Sequence, residues 1–476
     1  MKIVFIFLLS IMLWQHAFAQ ETSQKVYIST KESLENRKTP QWFNDAKLGI
    51  FIHLGLYSVP AWATPSTTPD KVKDWKAFYK NNPYAEWYLN SLRINGSPTQ
   101  VHHQKVYGKD YDYYSFKDSL INKTTNWKAE SWAGLFAKIG ARYVVFTSKH
   151  HDGFCMYPTK VMNPFMEKEK ITSSRDFVGE LGKAVRERGL KYGVYYSGGI
   201  DWTFSQSPIT NLWPDLFESM PKSVAYTGYV DCQMHEIIQR YKPDVLWNDV
   251  NYPINGDVTG IFAELFNLNS NAVVNDRWRQ FDELSNFTTP EYTFFDKVVP
   301  KKWETCRGIG YSFGYNQVES DVELLSSEAL IHLLVNIVCN NGNLLLNVGP
   351  KADGSIPENQ LKRLNDLGEW MKINGMGIHD THPYSITSTR LKDGTEVRYT
   401  QKNNDLYVFL LSIPSGKSIV LPSIRTSKTT KFLLYGDKIK PLTFSMVSDG
   451  IEIKLPTVLD FKFAKMIKIT DLTNLN

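Results

Sequence analysis

The chain is poor in cysteine: Cys155, Cys232, Cys306 and Cys339 are the only four in 476 residues. No two stand at C-x-x-C spacing, which disfavours a thiolate zinc site. No pairing is indicated either, so buried free thiols are the expectation. Charge of one sign is also lacking. The 54 basic residues against 49 acidic ones leave +5 with no basic run, so a nucleic-acid partner has no electrostatic footprint. No G-x-G-x-x-G opens a helix, which argues against a dinucleotide fold, and no cofactor is implied. Tandem repeats and low-complexity tracts are absent, and beyond the start of the chain no apolar run reaches the roughly 20 residues that span a bilayer.

The start of the chain is different. Lys2, an apolar run from Ile3 to Trp14 and then Ala17-Phe18-Ala19 follow the charged, apolar and small-x-small order of a secretory leader. Cleavage is expected after Ala19, giving an exported protein, periplasmic or secreted, with no membrane insertion once residues 1–19 are removed. The run is too short for a membrane anchor.

What the chain has in quantity is aromatic rings, 13% of residues with 13 Trp and 25 Tyr, alongside 42% hydrophobic and 22% charged residues. Those proportions describe a globular protein with a sizeable core. So many rings need packing partners or a ligand to stack on, a first pointer toward sugar. Every Trp and His lies before residue 383, and beyond it Glu396-Val397-Arg398-Tyr399-Thr400 and Leu406-Tyr407-Val408-Phe409-Leu410 alternate as strands do. A small β-sandwich over 383–476 is the economical reading. Over 20–382, apolar runs of strand length, among them Gly49–Ile52, Tyr143–Phe146, Tyr192–Tyr196 and Leu344–Leu346, alternate with helical patterns such as Trp127–Ile139 and Arg175–Arg188. Buried strands separated by helices predict a parallel sheet, and at this length a (β/α)8-like barrel. The polar, Tyr- and Trp-rich stretch from Ala63 to Lys117 reads as a loop excursion that roofs the barrel top.

In such barrels the working residues sit at the carboxyl ends of strands. That rule collects His53, His150 with His151, Ser197 and Asp249 on one face. Adjacent histidines would diverge on a continuing strand, so a clamp for ligand hydroxyls suits them better than a metal site. His102 and His103 lie in the excursion and are read as solvated. Asp249 is a candidate catalytic carboxylate beside Trp247, the competing reading being a turn cap. Cleavage of a glycosidic bond needs a second carboxylate, for which Glu291 and Glu304 are the downstream candidates.

Several segments taken together resemble the retaining exo-α-L-fucosidases of glycoside hydrolase family 29. These are Trp42-Phe43 with Lys47-Leu48-Gly49-Ile50-Phe51-Ile52-His53, Glu86-Trp87-Tyr88, Lys149-His150-His151-Asp152-Gly153-Phe154, Tyr195-Tyr196-Ser197, Leu246-Trp247-Asn248-Asp249, Val274-Asn275-Asp276-Arg277-Trp278 and Asn341–Pro350. The resemblance implies a (β/α)8-like catalytic barrel with a supporting C-terminal β-sandwich, acting on terminal α-L-fucose of glycans by double displacement without metal or cofactor. It implies Asp249 as nucleophile and Glu291 as acid/base, with Glu304 as the second candidate. Among the residues that hold the sugar it implies His53, Glu86, Trp87, His150, His151, Trp247, Arg277 and one tyrosine. Tyr195 and Tyr196 point to opposite sides of a strand, and Tyr196 is chosen. The alternatives are a non-catalytic fucose-binding barrel, which would have no need of two carboxylates, and a metal-dependent barrel hydrolase, which would lose activity to a chelator.

Overall fold

The computed structural model describes residues 26–278, 281–424, 426–459 and 461–472. The leader expected over 1–19 lies outside them. The first part of the chain builds a curled parallel sheet from β1 (Leu48–Ile52), β2 (Tyr143–Lys149), β3 (Lys191–Ser197), β4 (Val245–Asp249), β5 (Val273–Val274), β6 (Trp303–Gly308) and β7 (Gly342–Val348), in the order β5-β4-β3-β2-β1-β7-β6. These strands are almost wholly buried, which is why they read as continuous apolar runs rather than alternating ones. Helices cover the outside, and their ends follow local chemistry. The Phe177–Glu187 helix begins where the Asp176 carboxylate accepts from Gly179 N–H, and Gly189 follows its end at φ 74°.

Among the described residues this sheet has seven regular strands rather than eight. β5 has two residues, and between it and β6 the chain 286–292 runs as an irregular ladder. Asn286 N–H donates to Val274 O (2.9 Å), Thr288 N–H to Lys302 O (3.0 Å) and Cys306 N–H to Pro290 O (3.1 Å). Pro290 has no N–H to give, and Tyr292 sits at φ 55°, so the segment cannot continue as a strand. The 63–117 excursion is likewise more ordered than a loop, with helices at Trp75–Lys80, Tyr88–Arg93 and Pro98–Val106. The reading of its histidines as solvated is corrected. His103 is buried between Tyr88 OH (2.9 Å) and Tyr111 O (3.1 Å), and His102 stacks on Trp62 at 4.4 Å. All four cysteines are free. Cys155, Cys306 and Cys339 are buried, whereas Cys232 is exposed, against expectation.

From His382 the chain turns antiparallel. A six-stranded sheet, β13-β12-β16-β10-β9-β8, comprises β8 (His382–Arg390), β9 (Glu396–Lys402), β10 (Asp405–Leu410), β12 (Phe432–Leu434), β13 (Lys440–Leu442) and β16 (Lys465–Ile469). A smaller sheet, β11-β15-β14, comprises β11 (Ser418–Leu421), β14 (Phe444–Val447) and β15 (Gly450–Lys454). The period of two along β10 divides its side chains between two cores. Leu406, Val408 and Leu410 pack inside the sandwich, while Tyr407, Phe409 and Leu411 join the core of the barrel part. Polar ties reinforce the seam, with Trp370 Nε1–H donating to Ala464 O (2.9 Å) and Thr400 Oγ1–H to Gly377 O (2.6 Å).

This parity generates a prediction. Phe409 is fully buried at the seam, 6.0 Å from Trp370. Phe409→Ala should cost about 3–5 kcal/mol of unfolding free energy in urea. A loss below about 1 kcal/mol would mean the sheet is not docked through this strand.

Candidate active site

The carboxyl ends of the parallel strands open into a cavity of about 380 Å³. His53 follows β1, His150 and His151 follow β2, Tyr195 lies near the end of β3, Trp247 and Asp249 end β4, and Arg277 follows β5. Glu291 reaches the cavity from the irregular 286–292 segment, Cys306 from β6, and Glu86 and Trp87 from the excursion.

Asp249 is the centre of the charge arrangement. Its Oδ1 accepts from Arg277 Nη1 at 2.7 Å and from Val250 N–H at 2.8 Å, its Oδ2 from the Tyr195 hydroxyl at 2.8 Å, and His151 Nε2 stands 3.8 Å away. Burial pushes its pKa up. The Arg277 guanidinium and the hydrogen bonds from Arg277 and Tyr195 outweigh burial and leave the carboxyl below its ordinary value. The backbone is bent to serve this position. Val250 and Asn251 hold φ of 52° and 68°, and for a β-branched residue such as Val250 that is a real cost. Gly199 makes room for the turn: a Cβ there would stand 1.6 Å from the Val250 carbonyl oxygen. Asn248 and Asn275 make up for the brevity of β5. Asn248 N–H donates to Asn275 Oδ1 (3.0 Å), Asn275 Nδ2 to Asn248 O (2.8 Å), and Asn248 Nδ2 to the carbonyl of Arg277 (2.6 Å).

Arg277 joins two of the acidic groups that line the cavity, Asp249 and Glu291. Its Nη2 donates to Glu291 Oε2 at 3.0 Å, Nε to Thr289 Oγ1 at 3.0 Å, and its guanidinium lies 4.7 Å over the Trp247 ring. The other oxygen of Glu291 accepts from the Tyr84 hydroxyl at 3.1 Å. Glu304 is placed differently. It is fully buried outside the cavity lining, where it accepts from the Tyr143 hydroxyl and, at 3.1 Å, from Trp247 Nε1–H.

Three imidazoles face the cavity, and burial keeps all of them neutral. His53 is pushed down to about 3, His151 to about 4, and His150 well below its ordinary value. His53 Nδ1 meets Asn347 Oδ1 at 2.7 Å. Ser197 donates its hydroxyl proton to Ile200 O (2.6 Å), so its oxygen must accept from His151 Nδ1–H (2.6 Å), which leaves the Nε2 lone pair toward Asp249 and the cavity. His150 Nδ1 is buried with no hydrogen-bond partner, a polar atom that a ligand hydroxyl would satisfy. Glu86 accepts from Gly314 N–H (2.7 Å) and the Ser312 hydroxyl (3.2 Å), yet burial raises it to about 7. Trp87 stands edge-on to His151 at 5.2 Å. Among the described residues no group of three or more His, Cys, Asp or Glu side chains is placed to hold a metal ion.

The choice of Tyr196 is corrected. Its hydroxyl donates to Gln233 Oε1 (2.7 Å) on the outer side of the sheet, and Lys149 Nζ lies 4.4 Å over its ring. Tyr195 shares the inner face with Gly193 and Ser197, and in register it pairs with Trp247 while Ser197 pairs with Asp249. Ser197, two residues on, was the signal that favoured Tyr195. Tyr84, Asn347 and Cys306 escaped sequence reasoning. Asn347 had a signal, a polar residue directly after the apolar run Leu344–Leu346. Tyr84 and Cys306 had none.

Comparison with known proteins falls in one place. A family model described as alpha-L-fucosidase matches residues 14–376, and one described as alpha-L-fucosidase C-terminal domain matches 392–470. The chain is similar to the alpha-L-fucosidase of Dictyostelium discoideum, 30% identical over 467 residues, covering 94% of this chain and 95% of that protein. It is also similar to tissue alpha-L-fucosidase of Bos taurus, 31% identical over 92% of this chain and 90% of that one. Among solved structures, a Thermotoga maritima alpha-L-fucosynthase in complex with alpha-L-Fuc-(1-2)-beta-L-Fuc-N3 superposes with a TM-score of 0.85 at 41% identity, covering 94% of this chain and all of that one. The Thermotoga maritima alpha-fucosidase in complex with fucose gives 0.83 at 41% identity, covering 93% of this chain and all of that one. The chain therefore belongs to the alpha-L-fucosidase family of glycoside hydrolases, with its C-terminal domain.

Proposed function

We propose that this chain is a retaining exo-α-L-fucosidase in which Asp249 is the nucleophile and Glu291 the acid/base. The observation that carries the reading is the Arg277 bridge: one guanidinium touches both carboxylates, and both line the same cavity. In the first step the ionised Asp249 attacks the anomeric carbon, the glycosidic bond breaks, and Glu291 gives its proton to the departing oxygen. Asp249 is then an ester without charge, and Glu291 is the one anion left to Arg277. That contact stabilises the carboxylate that takes a proton from water as water opens the ester. Two inversions return the starting configuration.

His53, His150, His151, Glu86, Trp87, Tyr195, Trp247 and Arg277 are the residues this reading assigns to the sugar. Neutral imidazoles each carry one donor and one acceptor, which suits hydroxyls, and Trp247 and Phe313 offer apolar faces for the C6 methyl. The same reading includes export directed by residues 1–19, a catalytic unit over 20–382 and a supporting unit over 383–476, and a fucosylated glycan as the substrate. Among the described residues no helix is long and apolar enough to cross a membrane.

Glu291 is assigned over Glu304 on position. Glu304 has its oxygens committed to Tyr143 and Trp247 outside the cavity lining, where it orients the indole from behind. Asp249→Gly should lower kcat on an aryl α-L-fucoside by about three orders of magnitude or more, and azide should restore turnover as the β-fucosyl azide. Activity within about tenfold of the parent would remove Asp249 from the role. Glu291→Ala should slow substrates with poor leaving groups far more than those with good ones, a bias that Glu304→Gln should lack. The reverse pattern would exchange the two assignments.

Glu304 also sets a pH dependence of stability. Burial raises it to about 7 in the folded protein from an ordinary 4.5, so its contribution is full below about 4.5 and is lost as pH rises through about 7. Glu304→Gln removes that charge, and its unfolding free energy relative to the parent should improve between pH 5 and pH 8. Equal slopes for variant and parent in urea titrations across that range would show that Glu304 is ionised throughout.

A further inference from the structure

The loop that joins β6 to the Ser327–Cys339 helix meets the sugar side of the cavity over one short stretch, residues 311–314. Three of the groups assigned to the sugar depend on it. The Ser312 hydroxyl and the Gly314 N–H both donate to Glu86, and Ser312 Oγ accepts from the neighbouring Ala85 N–H at 2.8 Å. The Phe313 ring lines the cavity 5.1 Å from His53. The Phe313 carbonyl accepts from Asn347 Nδ2 at 2.6 Å, and Asn347 Oδ1 is the partner of His53 Nδ1. A carboxyl, an apolar face and an imidazole are therefore set by the same four residues.

This stretch belongs to no strand or helix, so its backbone has to be fixed by other means. Downstream, Asn316 is tied to both the amide and the carbonyl of Ala63 at 3.1 Å. At its start the Tyr292 hydroxyl holds the Tyr311 carbonyl at 2.6 Å, and the amides of Tyr311 and Ser312 both donate to a single atom, Glu319 Oε1, at 2.9 and 2.7 Å. Glu319 itself lies outside the cavity lining. Gly310 leaves space for it, since a Cβ there would stand 2.2 Å from Glu319 Oε2. Burial raises Glu319 to about 8, so at neutral pH it is an uncharged acid whose carbonyl oxygen takes both amides. Without that oxygen two amides lose their acceptor, and the loop must turn to find others.

We propose that Glu319 is a positioning residue for sugar recognition: by holding the Tyr311 and Ser312 amides it aims Phe313 into the cavity and keeps Ser312 on Glu86. The proposal rests on the fucosidase reading above and adds to it a residue that never meets the sugar.

Two aryl glycosides that differ only at C6 read the consequence. An α-L-galactoside carries a hydroxymethyl where the α-L-fucoside carries a methyl, so the ratio of their kcat/KM values reports how firmly Phe313 faces that position. Losses of folded protein or of catalytic power cancel from the ratio. Glu319→Ala should lower the preference for the fucoside about three- to tenfold. Glu319→Gln, which keeps a carbonyl oxygen for both amides, should hold it within about twofold of the parent. Gly310→Ala leaves Glu319 in the chain but displaces its carboxyl, so it should reproduce the Glu319→Ala ratio, and Gly310→Ala combined with Glu319→Ala should lose no more than Glu319→Ala alone. Gly310→Ala also carries the test where Glu319→Ala does not fold. A preference that stays within about twofold of the parent in these alanine variants would leave Glu319 a merely structural side chain and overturn the proposal. A parent that cleaves neither glycoside would overturn the fucosidase reading, and the proposal with it, before any variant is made.

Discussion

A buried carboxylate that must remain charged is the constraint around which this molecule is arranged. Taking Asp249 out of water favours its neutral form, and only close donors reverse that preference. Arg277 supplies the cation, and Tyr195 and the Val250 amide fill the remaining lone pairs. The arrangement is all or nothing. A buried ion pair with one partner removed leaves an uncompensated charge, typically at a cost of about 3–5 kcal/mol. Much of the irregular structure follows from bringing Arg277 to that place. β5 stops after two residues so that the chain can turn toward Asp249, and the Asn248–Asn275 exchange replaces the ladder that was given up. Left-handed Val250 and Tyr292 flank the same charges, as expected where backbone strain serves a site.

The neutral histidines belong to the same balance. Among the described residues Arg277 is the one permanent cation lining the cavity, and it already serves two carboxylates. A protonated His151 would compete with it for Asp249 and would lose the lone pair that a hydroxyl can donate to. Burial settles the matter by holding His53, His150 and His151 uncharged at ordinary pH. The lining that results pairs the Arg277 charge with Asp249 and Glu291 and presents neutral dipoles at the three imidazoles.

Much of this was legible in the sequence, because strand ends and turn residues are local signals. Runs such as Tyr143–Phe146 located the strands, and the polar residues just beyond them located His53, His150, His151 and Asp249. What failed were properties that depend on register. Tyr195 and Tyr196 differ by one step of pleat, and only their pairing with Trp247 and Asn248 decides which one faces inward. Glu291 and Glu304 are equally acidic on paper. They are told apart by a segment too irregular to be recognised as a strand, which delivers Glu291 to the cavity, while Glu304 stays behind the indole of Trp247. His103 was misread because its partners, Tyr88 and Tyr111, come together only when the excursion folds into helices.

The C-terminal sandwich gives this arrangement a mechanical asymmetry. Its six-stranded sheet packs on the Ser327–Cys339 helix, which in turn covers β7, the strand that carries Asn347 and pairs with β1 ahead of His53. The β1–β7 side of the sheet, which carries His53 and Asn347, is therefore backed by a second core through Phe409 and Trp370. The opposite half, with two-residue β5 and the 286–292 ladder, carries Arg277 and Glu291. On the double displacement proposed above, Glu291 gives up and regains a proton between the two steps, and Arg277, charged throughout, shifts its contacts as Asp249 passes between carboxylate and ester.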